Sequence, residues 1–126
     1  MKISKKTQYA LTAMVHLARK PKKVASIREI ANIEGVPFEF LSKIFSDLEK
    51  AKLVKARHGA NGGYVLAKSP SKITAMDVVG LLDNIKAVDC KFCPKIKKCL
   101  TKNVWGRVDT AVAKTLSSIT LSNLIK

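Results

Sequence analysis

Carboxylates are scarce in this chain: 9 Asp and Glu stand against 24 Lys and Arg over 126 residues, a formal net charge of +15. They are scattered, and no Walker-type phosphate loop, nucleophile elbow or HExxH signature accompanies them, so the common catalytic constellations are missing. Catalysis is not expected. Long apolar runs are missing too, since no stretch reaches the roughly 18 residues that a bilayer-spanning helix needs. That excludes an integral helical membrane protein. Cysteine is limited to Cys90, Cys93 and Cys99, an odd count and too sparse for a disulfide-stapled secreted domain.

What the chain has in excess is positive charge, beyond the ordinary surface decoration of so small a protein. It points to a polyanionic partner, nucleic acid or an anionic membrane surface. The length suits one domain around one modest core. The opening MKISKKTQYALTAMVHLARK carries lysines and then an apolar run, but Thr12 and His16 interrupt the run and Arg19 and Lys20 follow it without a small-residue cleavage site. An amphipathic helix is expected there, not an export signal, and with it a cytoplasmic location. In that reducing compartment clustered cysteines serve metal or redox chemistry more often than structural disulfides.

Periodicity places the elements. Ser4 caps a helix whose Ala10, Leu11, Met14, Leu17 and Ala18 share one face, closed by Arg19, Lys20 and Pro21. Ser26 and Glu29 read as a capping box before Ile27, Ile30 and Ala31 in a short helix ended by Gly35. Pro37 starts another, with an apolar stripe at Leu41, Ile44, Phe45 and Leu48 running to about Ala51. Two short helices across a tight glycine turn make a helix-turn-helix. LVKAR and GYVLA then change to a strand pattern around HGANG, where Asn61-Gly62 tolerates the positive backbone angles of a tight hairpin. Thr74 with Asp77 opens a helix with Val78, Leu81, Leu82 and Ile85 on one side, and Leu100 to about Ser118 forms a long one carrying Trp105, Val108, Val112, Leu116 and Ile119. TLSNLIK adds a last turn. The expected fold is mainly α with a small β wing: a winged helix-turn-helix region over 1–86, a cysteine loop over 87–99, and a dimerisation helix with its tail over 100–126.

A helix-turn-helix followed by a wing on so basic a chain is a case for double-stranded DNA, with the second helix in the major groove and the wing on the backbone or minor groove. Opposite the apolar stripe, Glu39, Ser42, Lys43 and Ser46 are the base-edge candidates: Lys43 can donate to guanine, Ser42 can bond either way, and Glu39 can accept from cytosine. The bland alternative is a solvated face on a structural helix. In the wing, Arg57 and His58 precede Gly59, Asn61, Gly62 and Gly63. A plain hairpin needs only the Asn-Gly pair, so Gly59 and Gly63 are read as allowing close approach to a phosphate while Arg57 reaches a narrow minor groove. A last helix of about 19 residues extends roughly 28 Å, more than a small winged-helix body covers. A second chain is the expected cover, giving a homodimer with two wings and two recognition helices on a palindromic site. His16 is expected as a packed or partly exposed histidine, not a ligand.

Three segments, MKISKKTQYALTAMVHLA, VPFEFLSKIFSDLEKAKLVKARHGANGGYVLAKSPSKITAMDVV and CLTKNVWGRVDTAVAKTLSSITLSNLI, together resemble the Rrf2 family of bacterial transcription regulators. Most specific is RHGANGGYVLAKSP, which is similar to the family's RGxxGGYxLAxxP wing. The resemblance implies a homodimer of winged-helix domains tied by crossed C-terminal helices. It also implies three cysteines holding an iron–sulfur cluster through which DNA affinity responds to cluster supply, nitric oxide or redox state. Arg57 then probes the minor groove, and Ser42 occupies a position that varies among members and tunes site choice. Two departures stand out. Cys90-x2-Cys93-x5-Cys99 is tighter at its front than the usual spacing, and the position of a ligating histidine three residues after the last cysteine is Lys102. Other members take an acidic ligand near the N-terminus, which here is Gln8. Gln8, Asp89, Asn103 or a small molecule are the fourth-ligand candidates.

The residues of CKFCPKIKKC leave three chemistries open. Cys93-Pro94 after a Cys-x2-Cys pair resembles a ferredoxin-type ligand loop, and Lys91, Lys95, Lys97, Lys98 and Lys102 favour thiolate and offset the charge of a cluster. Three soft ligands with an open fourth position favour a 4Fe–4S centre over a 2Fe–2S one. Zinc wants a fourth protein ligand for a closed site, and a thiol or disulfide switch needs no metal. A different class also fits the charge: a redox or electron-transfer module whose basic surface docks an acidic protein.

Overall fold

The computed structural model describes residues 2–19, 24–60, 62–85 and 100–125. In chain order they form α1 (Lys5–Arg19), α2 (Ile27–Glu34), α3 (Phe38–Lys50), β1 (Val54–Arg57), β2 (Gly63–Leu66), a 3-10 turn at Pro70–Lys72, α4 (Ala75–Leu82), α5 (Lys102–Ser118) and α6 (Leu121–Leu124). The helix starts follow local hydrogen-bond chemistry. Ser4 Oγ accepts the Thr7 N–H at 3.2 Å, and Ser26 Oγ accepts the Glu29 N–H at 3.0 Å. Only this serine half of the expected capping box forms, whereas Thr74 and Asp77 complete theirs in both directions. Gly35 ends α2 in the left-handed region at φ 68, its N–H reaching the Ala31 carbonyl. That position favours a residue without Cβ.

The core is built from one face of each element. Met14 and Leu17 of α1, Ile30 of α2, and Leu41, Ile44, Phe45 and Leu48 of α3 are buried, joined by Val54, Leu66, Ile73, Val78 and Leu121. The stripe expected on α3 is thus buried as a unit. On α4 the buried side is Ala75, Val78 and Val79, with Leu82 packed against the core; of the expected side Leu81 is exposed and Ile85 falls beyond the helix's end at Leu82. α5 begins at Lys102, two residues later than expected.

Two backbone pairings have no signature in the sequence. Ala25 exchanges hydrogen bonds with Tyr64 at 3.1 and 2.8 Å, laying the approach to α2 beside the wing. The Ala75 N–H donates to Ile119 O at 2.8 Å and the Leu121 N–H to Ile73 O at 2.9 Å, which returns the chain after α5 to the body and seats Leu121 in the core.

Candidate nucleic-acid interface

Because α3 turns Leu41, Ile44, Phe45 and Leu48 inward, it carries Glu39, Ser42, Lys43 and Ser46 on its outer side. These four recur at the spacing of neighbouring turns and form one contiguous face. Glu39, Lys43 and Ser46 are exposed and Ser42 is half-buried. The helix is anchored to α1 at two points: Lys6 donates to Asp47 Oδ2 at 3.0 Å, and Tyr9 meets Phe40 edge-on with ring centroids 5.7 Å apart. The exposure of Phe38 and Phe40 at the N-terminal end of α3 was not expected from sequence.

The wing is an antiparallel pair in the register Val54↔Leu66 to Arg57↔Gly63, which puts Arg57 at the outer end of β1 with His58 and Gly59 exposed beyond it. Lys52, Lys55 and Lys68 are exposed about its base. The positive backbone angle belongs to Gly59, at φ 118, where the carbonyl accepts the Gly62 N–H at 3.0 Å. Asn61 lies outside the described residues. A Cβ on Gly63 would collide with the backbone of Ala25 and Ser26, and one on Gly62 with the Arg57 carbonyl. The glycines expected to admit a phosphate therefore have internal reasons: Gly59 for its turn, Gly62 and Gly63 for backbone packed against backbone. One residue in from that outer end Tyr64 packs on Phe45 with centroids 4.8 Å apart and the rings tilted by 42°, joining the wing to α3. Burial and then the Glu49 carboxylate push the Tyr64 hydroxyl above its ordinary pKa.

Asp83, just past α4, accepts the Ser4 N–H at 2.9 Å and the Ser4 hydroxyl at 3.2 Å. Hydrogen bonding from the Thr7 side chain and then from the Ser4 backbone holds its carboxyl below the usual range. The start of α1 is thereby tied to the end of α4. His16 is half-buried with Nδ1 3.4 Å from Glu34 Oε1, a packed histidine as expected. Cys90, Cys93, Cys99 and Asp89 lie outside the described residues. Of the other ligand candidates, Gln8 is exposed on α1 with its amide donating to the Ile3 carbonyl at 3.2 Å, and Asn103 is exposed at the start of α5. No helix among the described residues is long and apolar enough to cross a membrane.

A family model for Rrf2, described as an iron-dependent transcriptional regulator, matches residues 3–126. The chain belongs to the Rrf2 family. It is 31% identical to protein rrf2 of Nitratidesulfovibrio vulgaris, over 100% of this chain and 88% of that protein. To the HTH-type transcriptional regulator CymR of Bacillus subtilis it is 37% identical, over 98% of this chain and 89% of the other. The solved structure of that CymR, described as the global cysteine regulator, superposes with a TM-score of 0.86 over 99% of this chain and 96% of its own, at 36% identity. The structure of T. potens IscR follows at 0.83, 32% identity, and 99% and 86% coverage. The fold is accordingly the winged helix-turn-helix of these Rrf2 regulators, and the chain is a DNA-binding transcription regulator of that type.

Proposed function

We propose that two copies of this chain pair through α5 and present two α3 faces and two wings to a palindromic duplex, and that an iron–sulfur cluster on Cys90, Cys93 and Cys99 sets the affinity for that site. The observation that carries the pairing is α5 itself. Over 17 residues none of its described side chains is fully buried, and Val104 and Trp105 stand exposed. In this reading residues 1–86 contact DNA, 87–99 sense and 100–126 dimerise. Glu39, Ser42, Lys43 and Ser46 face base edges, Arg57 enters the minor groove, and His58, Gly59 and Asn61 lie along the backbone.

The donor set fits a cluster. Three thiolates are the ligands such centres take, the lysines among them offset its negative charge, and Gln8, Asn103 and Asp89 offer oxygen donors for a fourth position. The family's description as iron-dependent supports the same reading, with 4Fe–4S favoured over 2Fe–2S. When bound, the cluster would supply chemistry sensitive to redox state and nitric oxide. The chain's own contribution is connection: residues 86–99 join α4, latched to α1 through Asp83, to α5. Ligand closure there can order a segment by several kcal/mol, more than the few that a useful population shift requires.

Anaerobic purification tests this. Wild type is expected to absorb broadly in the visible, and each Cys→Ser variant to lose the absorption while remaining a folded dimer by light scattering. The DNA affinity of each variant should match that of cluster-free wild type. A triple Cys→Ser protein whose DNA binding still responds to oxygen or nitric oxide would overturn the cluster mechanism. A second reading, a thiol switch without metal, is favoured by the likeness to CymR, the regulator of cysteine in its own organism. It predicts a colourless protein whose DNA affinity changes on thiol oxidation.

A further inference from the structure

One cation of the helix-turn-helix lies over an aromatic ring. Arg28 is exposed on the second residue of α2, and its guanidinium carbon lies 4.6 Å from the ring centroid of Phe38, the first residue of α3. The stack therefore bridges the two helices of the motif across the turn that Gly35 makes. Phe38 remains 40% exposed, so it serves as a platform at the surface and not as a core residue.

Stacking engages the flat face of a guanidinium and leaves its N–H edges directed outward. Among the described residues no carboxylate pairs with Arg28. Glu29 follows it directly, but consecutive helical residues point about 100° apart, and the Glu29 backbone N–H is committed to the Ser26 cap. The result is a set of guanidinium donors held over an aromatic ring, without a carboxylate partner among the described residues, on the helix that crosses the DNA backbone in this class of motif. Arginine is the side chain best matched to phosphate oxygens, and the rotamer freedom it ordinarily loses on binding is already restricted by the stack.

We propose that Arg28 is a preset phosphate clamp, and that Phe38 is the residue that positions it. The inference rests on the DNA-binding reading above. It assigns to the first helix of the motif, and to an aromatic at the start of the second, a shared role in fixing the register of α3 in the groove, separate from base selection by the α3 face.

The test titrates full-length protein against its selected palindrome and against a random duplex of equal length, across a range of salt concentrations. Arg28→Ala is expected to weaken both complexes by a similar factor, roughly five- to tenfold, and to make the slope of log K against log salt shallower by about 0.9 per site contacted. Phe38→Leu keeps an apolar residue and removes the ring; it should weaken binding less. The double variant should bind no worse than Arg28→Ala alone, since without the arginine the platform has nothing to position. Arg28→Lys should recover charge and slope but only part of the affinity. Thermal melts establish that each variant is folded, which the exposure of both side chains leads us to expect. If wild type binds neither duplex, the DNA-binding reading itself fails. If wild type binds and Arg28→Ala matches it in affinity and slope, the clamp is overturned while that reading stands. A loss confined to the palindrome would make Arg28 a base reader, and additive losses in the double variant would remove Phe38 from the role; either result overturns the proposal as stated.

Discussion

Phe45 and Trp105 sit on two helices in opposite situations. Phe45 on α3 is 0% exposed, ringed by its own chain and stacked on Tyr64, whereas Trp105 on α5 is 37% exposed with Val104 at 51% beside it. Both helices carry apolar residues at helical spacing. The difference is what the chain folds against them: α1, α2 and the wing strand β1 close around α3, while α5 packs chiefly on α4 among the described residues. An apolar stripe in a sequence states that something covers it. It does not state whether that cover is the same molecule.

The comparison breaks at its strongest point with Phe45→Ala, which empties a site with no exposure. A loss of about 3–5 kcal/mol in unfolding free energy is expected from denaturant titration, with the wing loosened as well because Tyr64 loses its stacking partner. Next in size is Trp105→Glu. In a free body it is close to neutral, since the side chain is already in partial contact with water. At a pairing surface, burying a charge where an aromatic stood is expected to cost about 2 kcal/mol or more of association, seen by light scattering as a shift from dimer to monomer at fixed concentration. Unchanged dimerisation would move the interface away from the start of α5. Arg57→Ala comes third: roughly 1–3 kcal/mol of specific DNA affinity, with no change in melting temperature, because Arg57 lies exposed at the end of β1.

The same contrast explains what could be read from residues alone. The stripe of α3, the Ser4 and Thr74 caps and the strand pattern of LVKAR and GYVLA are local signals, set within a few residues, and the structure contains each of them. The pairing of Ala25 with Tyr64 and the return of Leu121 to Ile73 join residues far apart in sequence, and a single bridge has no period to detect. Gly63 shows the consequence: a Cβ there would meet the backbone of Ala25, a neighbour that no local pattern names. Lys52 adds a local miss. It takes a left-handed angle at φ 63 after α3, where glycine is usual, so the turn carried no punctuation. The α3 face was legible because burial of one side dictates the other. The stack of Arg28 on Phe38 was not, since it depends on the angle between two helices.

The smallest expected effect lies at Asp83, where the body meets the segment leading to α5. Hydrogen bonds from Thr7 and Ser4 lower its carboxyl pKa in the folded state, so the folded protein holds the ionised form more readily than the unfolded chain. The sign follows from linkage: the contribution is complete above the ordinary aspartate value, near pH ~4, and is lost as pH falls through the lower folded value. Asp83→Asn keeps an oxygen acceptor for the Ser4 N–H and removes the charge. Melting temperatures of wild type and variant should therefore differ slightly at neutral pH, with wild type higher, and converge as the solution is acidified below the folded value. A difference that stays constant across that window would mean that the latch between α1 and α4 depends on shape alone, and the charge of Asp83 would have no part in holding the entry to α5 against the body.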